Sequence, residues 1–257
     1  MEGFCPLASG SKGNSIFIGT KNTRILIDAG ISHKATQEKL QLIGIDIRDI
    51  DAIIITHEHV DHIRGLATIA IKHKIPVFAN SDTAHAILEI LDESPKFKIF
   101  STGETFEFGD LEIHPFSIQH DTLDPVAFTI RTSSLKLGFC TDLGFVTTLV
   151  KNHLKECDYL YIEANHEPSM VHSSSRPMVY KQRVLSRQGH LSNQQCAELL
   201  THVAHVGLRH IHLAHLSEEC NHPQRVLEVI QSALDSLQLS IDLSIALQHQ
   251  ISKTILF

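Results

Sequence analysis

Residues 57 to 62 read His-Glu-His-Val-Asp-His, so His57, His59, Asp61 and His62 place four metal-binding side chains within six positions. Imidazole nitrogen and carboxylate oxygen together suit zinc, manganese or iron. Crowding such groups in one turn is costly unless a cation sits among them. A chain with 19 histidines could carry such a run on its surface by chance. Here it follows Ile53-Ile54-Ile55, a β-branched run expected as a buried strand, and the end of a rigid element is where a site is best held. The same setting recurs at His120 after Ile118, Asp142 after Phe139 and His215 after Leu213. Strand ends gathered at one edge can converge on a point. The expected outcome is two adjacent metal sites: His57, His59 and His120 on one cation, Asp61, His62 and His215 on the other, with Asp142 bridging. Divalent ions about 3.5–4 Å apart generate a hydroxide nucleophile near neutral pH.

The elements that must position these donors read as strands first. Ser15–Thr20 and Arg24–Asp28 flank Lys21-Asn22 as a hairpin, and Ile63, Leu66, Ala67 and Ala70 fall at helical spacing after His62. Further strands are expected at Ile75–Ala79, Thr105–Phe108, Leu111–Ser117, Val126–Arg131, Leu135–Cys140, Asp158–Glu163 and Arg209–Ala214. Ser192 is an N-cap signal for a helix carrying Cys196, Leu199, Leu200 and Val203, and Leu239–Phe257 reads as a closing strand. Strand runs and helices alternate without a low-complexity linker, which predicts one domain over residues 1–257, two β-halves covered by helices.

Composition narrows the function classes. With 257 residues, 42% hydrophobic, the chain can bury a large core. No stretch approaches the roughly 20 apolar residues of a membrane span, and the start lacks a basic leader with an apolar core, so the expected compartment is the cytoplasm. Five scattered cysteines without a Cys-x-x-Cys pair argue against a disulfide frame or zinc ribbon. A net charge of −7 makes whole-molecule attraction to nucleic acid unfavourable, so any such grip must be local. Ser9–Ser15 does not match the phosphate-cradling Gly-x-x-x-x-Gly-Lys loop, and Asp61 stands where a helical His-Glu-x-x-His protease needs its second histidine. Asp28 is expected to support a ligand rather than be one.

The stretch Thr56–His62, with Ile27-Asp28-Ala29-Gly30 upstream and Thr141-Asp142 downstream, resembles the His-x-His-x-Asp-His signature of the metallo-β-lactamase superfamily. Leu7–Ser15, Glu163-Ala164-Asn165-His166, Gly189–Asn193 and Ala214–Asn221 resemble, more narrowly, its YycJ/WalJ group. The resemblance spans about residues 5 to 223. It implies a four-layer αββα sandwich of the α/β class, a centre of two divalent metal ions (zinc, manganese or iron), and hydrolysis of nucleic-acid phosphodiesters, in that group a 5′-to-3′ exonuclease acting on DNA. Glu167 departs from the aspartate usual after His166, and the large inserted nucleic-acid-binding domain of RNA-processing relatives is missing. In related phosphodiesterases a histidine in the context of His190 assists the leaving oxygen, and Glu163 could accept a hydrogen bond from its far nitrogen, so the expected catalytic residues are Asp61, His190 and Glu163.

Pro168–Ala197 contains no acidic residue, while Arg176, Lys181, Arg183 and Arg187 lie inside it. With Asn193 these are the expected contacts to nucleic acid, DNA ahead of RNA. The competing activity is hydrolysis of small thioesters, lactones or lactams on the same scaffold, which has no need of a leaving-group histidine paired with a glutamate. A non-catalytic binding protein has no need of all seven ligands.

Overall fold

The computed structural model describes residues 1–93 and 95–257. They divide into two compact units, the first Met1–Pro115 with Thr122–Val126 and Ala246–Phe257, the second Phe116–Asp121 with Ala127–Ile245.

In the first unit, β1 (Gly3–Ala8), β2 (Ser15–Gly19) and β3 (Arg24–Ile27) form an antiparallel meander, with Lys21-Asn22 at the β2–β3 turn as expected. The sheet continues in parallel through β4 (Ala52–Ile54), β5 (Val77–Ala79) and β6 (Phe97–Ile99). Parallel neighbours need crossovers. These are α1 (His33–Leu42), the short α2 (Val60–Ile63) followed by α3 (Leu66–His73), and α4 (Ser81–Ile90). Leu26 and Ile53 from the strands, with Ile55 just beyond β4, pack with Leu40, Ile63, Leu66 and Ile69 from the helices. The helix expected after His62 is broken between Ile63 and Leu66, with Gly65 as the cap of α3. β1 escapes a reading by pattern because Pro6 interrupts it, and the register with β2 shifts between Pro6 and Ala8. The hairpin β7 (Phe106–Phe108) and β8 (Leu111–Ser117) turns at Gly109-Asp110.

In the second unit, β9 (Val126–Arg131) pairs antiparallel with β10 (Lys136–Cys140). The parallel strands β11 (Tyr159–Glu163), β12 (His210–Ala214) and β13 (Asp242–Ile245) follow in order. The crossovers are α5 (Thr148–Leu154), the run α6 (Pro168–Ser173), α7 (Met178–Leu185) and α8 (Asn193–Val203), and α9 (Pro223–Ser236). Leu160, Ile162, Ile211 and Leu213 pack against Leu199, Leu200, Val226 and Ile230. The closing strand expected over Leu239–Phe257 is two strands: β13 extends this sheet, whereas β14 (Ile255–Leu256) pairs with β1 in the first unit. Among the described residues no helix is long and apolar enough to cross a membrane.

Three donors or supports sit where a strand has just ended and the backbone turns left-handed: Asp28 at φ 60°, Asp142 at φ 57° and His215 at φ 54°. A non-glycine residue there costs about 1–3 kcal/mol, the sort of strain found where a side chain must be aimed rather than merely packed.

Candidate metal centre and active site

The first unit contributes one donor set. Asp28, just beyond β3, receives the Thr56 backbone N–H at 2.9 Å, the Thr56 hydroxyl at 2.9 Å and His62 Nδ1 at 2.8 Å. Because the Thr56 hydroxyl donates to Asp28, its oxygen accepts from His57 Nδ1, 2.9 Å away. Both rings are fully buried and lie 4.0 Å apart between centroids, and His59 crosses His57 edge-on at 4.9 Å. The Asn14 amide donates to Asp61 Oδ2 at 3.2 Å and to His62 Nε2 at 3.0 Å, which shows that nitrogen acting as an acceptor. Gly30 makes this close approach possible, since a Cβ there would come within 1.6 Å of the Asp61 carbonyl. Glu58 is turned away from the donors: its Oε1 accepts from Leu123 N at 2.9 Å and holds the loop before β9.

In the second unit, Glu163 at the end of β11 is a hub with no exposed surface. One carboxylate oxygen accepts from His190 Nδ1 at 2.8 Å and His215 Nδ1 at 2.9 Å, and the other from the backbone N–H groups of Leu143 at 2.8 Å and Leu191 at 3.0 Å. Burial pushes the carboxyl up. The His190 charge and the two imidazole bonds outweigh it and hold the carboxyl at about 2. Asp142 Oδ1 lies 3.5 Å from His215 Nδ1 and 3.8 Å from both His190 Nδ1 and His120 Nε2. His120 directs Nδ1 to the Gly189 carbonyl at 3.0 Å.

Five histidines, His57, His62, His120, His190 and His215, thus share one pattern, Nδ1 spent on an oxygen of the protein. In His57, His62, His120 and His215 a neutral ring that donates from Nδ1 presents its Nε2 lone pair, the tautomer that binds a metal, and an oxygen behind the ring raises its basicity, whereas in His190 the same bond aims Nε2 outward. The donor sets therefore fit divalent ions. The chemistry of imidazoles backed by Asp28 and Glu163, with Asp61 and Asp142 as anions, suits zinc, manganese or iron.

The sequence did not announce how the supports are shared. Thr56 as a relay and the double duty of Glu163 depend on which strands lie side by side. Three asparagines are a further case. Asn165 donates to the His215 carbonyl at 2.7 Å, and Asn193 and Asn221 exchange amide bonds at 2.9 Å each while Asn221 reaches the Ala164 and Asn165 carbonyls at 2.9 and 3.0 Å. All three lie in the motifs that carry the family resemblance, which was the available signal.

The basic stretch differs from its reading as an unneutralised run. Asn193 is fully buried and its amide is spent on Asn221, which removes it from the expected nucleic-acid contacts. Arg176 pairs with both carboxylate oxygens of Glu219, and Arg183 with both of Asp121, the neighbour of His120. The acids absent from the local sequence arrive from other loops. Lys181 binds the His172 carbonyl at 2.7 Å, and Arg187 stacks over Phe145, so these two cations have no carboxylate partner among the described residues. Glu167 precedes α6 and takes Arg225 Nε at 3.1 Å.

A family description for the β-lactamase superfamily domain matches residues 23–215. The chain belongs to the metallo-β-lactamase superfamily. The exodeoxyribonuclease YycJ of Bacillus anthracis is 38% identical over 221 residues, 85% of this chain and 83% of the relative. The exodeoxyribonuclease WalJ of Streptococcus pneumoniae is 38% identical over 220 residues, 84% of this chain and 81% of the relative. Among solved structures, the metallo-β-lactamase fold protein YhfI of Bacillus subtilis superposes with a TM-score of 0.73 at 13% identity, covering 99% of this chain and 100% of that one. The expected α/β sandwich of two helix-covered mixed sheets is the fold they share, and the membership in the YycJ-like group inferred from the motifs stands on the two bacterial relatives.

Proposed function

We propose that this chain is a metal-dependent phosphodiesterase, an exonuclease that removes nucleotides from the 5′ end of DNA. His57, His59, Asp61, His62, His120, Asp142 and His215 would hold two divalent ions, which supply Lewis-acid polarisation of a phosphoryl oxygen and acidify water. The observation that carries the reading is Glu163 accepting from His190 and His215 at 2.8 and 2.9 Å. One buried anion thereby ties a metal donor to a proton donor. Glu163 holds Nδ1 and so aims Nε2, the atom from which a proton would pass to the departing sugar oxygen. His190 retains only 14% side-chain exposure, enough to meet a substrate while most water is kept off. Thioester or lactam cleavage on the same scaffold leaves a His–Glu pair of this geometry without a task. The 38% identity to two exodeoxyribonucleases favours DNA.

Incubating metal-loaded protein with end-labelled DNA, end-labelled RNA and a panel of thioesters separates the activities. Stepwise release of nucleotides from the 5′ end of DNA is expected. Turnover of a thioester with both nucleic acids left intact would overturn the reading.

A further inference from the structure

We propose that the groove between the loop after Asp142 and α8 receives a nucleobase of the DNA strand, with Phe145 as its platform and Arg187 on the adjoining phosphate. This rests on the nuclease reading above. A cavity of about 160 Å³ opens there, with Phe145, Val146 and Leu199 as apolar walls and Lys151, Gln195, Glu198 and His202 as polar ones. The Arg187 guanidinium lies 3.9 Å from the Phe145 ring centroid. Stacking of this kind fixes the planar cation and leaves its edge N–H groups for an oxyanion. Arg187 and Lys151 form no ion pair among the described residues, whereas Arg176 and Arg183 do.

The platform is rigid and adjacent to the chemistry. Gly144, two residues after Asp142, packs backbone against backbone on the other loop, where a Cβ would lie 2.6 Å from the Arg187 carbonyl oxygen and 2.6 Å from Gly189 N. Its N–H is held by the Gln119 carbonyl at 2.8 Å, next to His120. Arg187 therefore lies over one face of Phe145, beside the cavity rather than in its wall, on a segment that ends three residues later in His190. The polar wall has the mixed character of a base edge rather than a phosphate. Gln195 takes both Ser192 bonds on its carbonyl oxygen at 3.0 and 2.9 Å, which leaves its NH₂ as donor. His202 spends Nδ1 on the Glu198 carbonyl at 2.7 Å and so presents Nε2 as acceptor. An aromatic wall, a polar edge that holds donors on Lys151 and Gln195 and acceptors on His202 and Glu198, and the Arg187 cation over Phe145 match the base and adjoining phosphate of a single-stranded nucleotide.

The test compares a 5′-labelled single-stranded oligonucleotide with one of the same length built from abasic nucleotides, each degraded by the metal-loaded enzyme. The KM of the wild type should be lower for the base-bearing strand by roughly 5- to 150-fold, the range of one base stacked on an aromatic ring. In Phe145→Leu that ratio should fall towards one. His202→Ala, on the exposed side of α8, should lower it in the same direction by a smaller factor and provides the measurement if the Phe145 variant folds poorly. Equal KM values for the two strands in the wild type, or a ratio that persists in both variants, would overturn the proposal while DNA degradation stands. If no DNA is degraded, the nuclease reading falls with it.

Discussion

A single carboxylate decides more at this site than any single histidine. Glu163 bonds His190 and His215 through the same oxygen, so Glu163→Gln should damage two functions that His190→Ala damages only in part. Metal affinity should drop about 10- to 100-fold in Glu163→Gln. In His190→Ala, kcat on DNA should fall about 10²- to 10⁴-fold with metal content intact, as followed by elemental analysis alongside single-turnover rates. A His190 variant that loses its metal would place that ring among the ligands instead. Acid stability also has a residue-scale origin. His166 is 2% exposed, and its Nδ1 has no hydrogen-bond partner among the described residues. Burial lowers its pKa to about 4. The folded state therefore resists a proton that the unfolded chain accepts below about 6.5. Stability is lost as pH falls from there to about 4, by up to about 3 kcal/mol. Glu163 adds a second phase: its folded carboxyl is held at about 2, so its contribution is full above the unfolded value and disappears between about 4.5 and 2. Urea titrations at a series of pH values should show the first phase vanish in His166→Phe and persist in Glu163→Gln.

At the scale of elements, the donors are carried by strand ends whose loops are sewn together by buried amides. Asn221 bonds Ala164, Asn165 and Asn193, thereby joining the loops that follow β11 and β12 to the start of α8. Asn221→Ala would leave at least two buried carbonyl groups without donors, at about 1–3 kcal/mol each. A fall in Tm of roughly 5–10 °C is expected for a chain of this size, with weaker metal binding because His215 is on the same loop. A variant that melts with the wild type would show that the amide network is dispensable. The α8 boundary was legible beforehand: Ser192 accepts from Gln195 N while Gln195 returns a bond, a capping box written in adjacent residues. The α6–α7 segment was not, because it packs around a small cluster of Val171, Val184 and Cys220 whose third member comes from a distant loop.

For the molecule as a whole, an acidic chain has to hold a polyanion. Two of the four cations in the acid-free stretch are neutralised by Glu219 and Asp121, and the net charge is −7. Binding of single-stranded DNA by His190→Ala should therefore show a log K against log salt slope of about −1 to −2, set by a few phosphates such as those met by Lys181 and Arg187. A slope of about −3 would mean that the two paired arginines also release their acids on binding and bring the phosphate contacts to four. The HxHxDH run, the strand before it and the glycine- and asparagine-bearing motifs were readable because they are local: period, branching and residue type within a few positions dictate them. Family membership followed from that alone. The tertiary structure decided who stands behind each donor. His57 leans on its neighbour Thr56, but the Nδ1 atoms of His62, His120, His190 and His215 are satisfied by groups far off in sequence, at separations of 34 residues for His62 and Asp28 and 69 for His120 and Gly189. The cations lost their apparent freedom for the same reason. Charge is a property of composition, but pairing depends on which loops the sheets bring side by side.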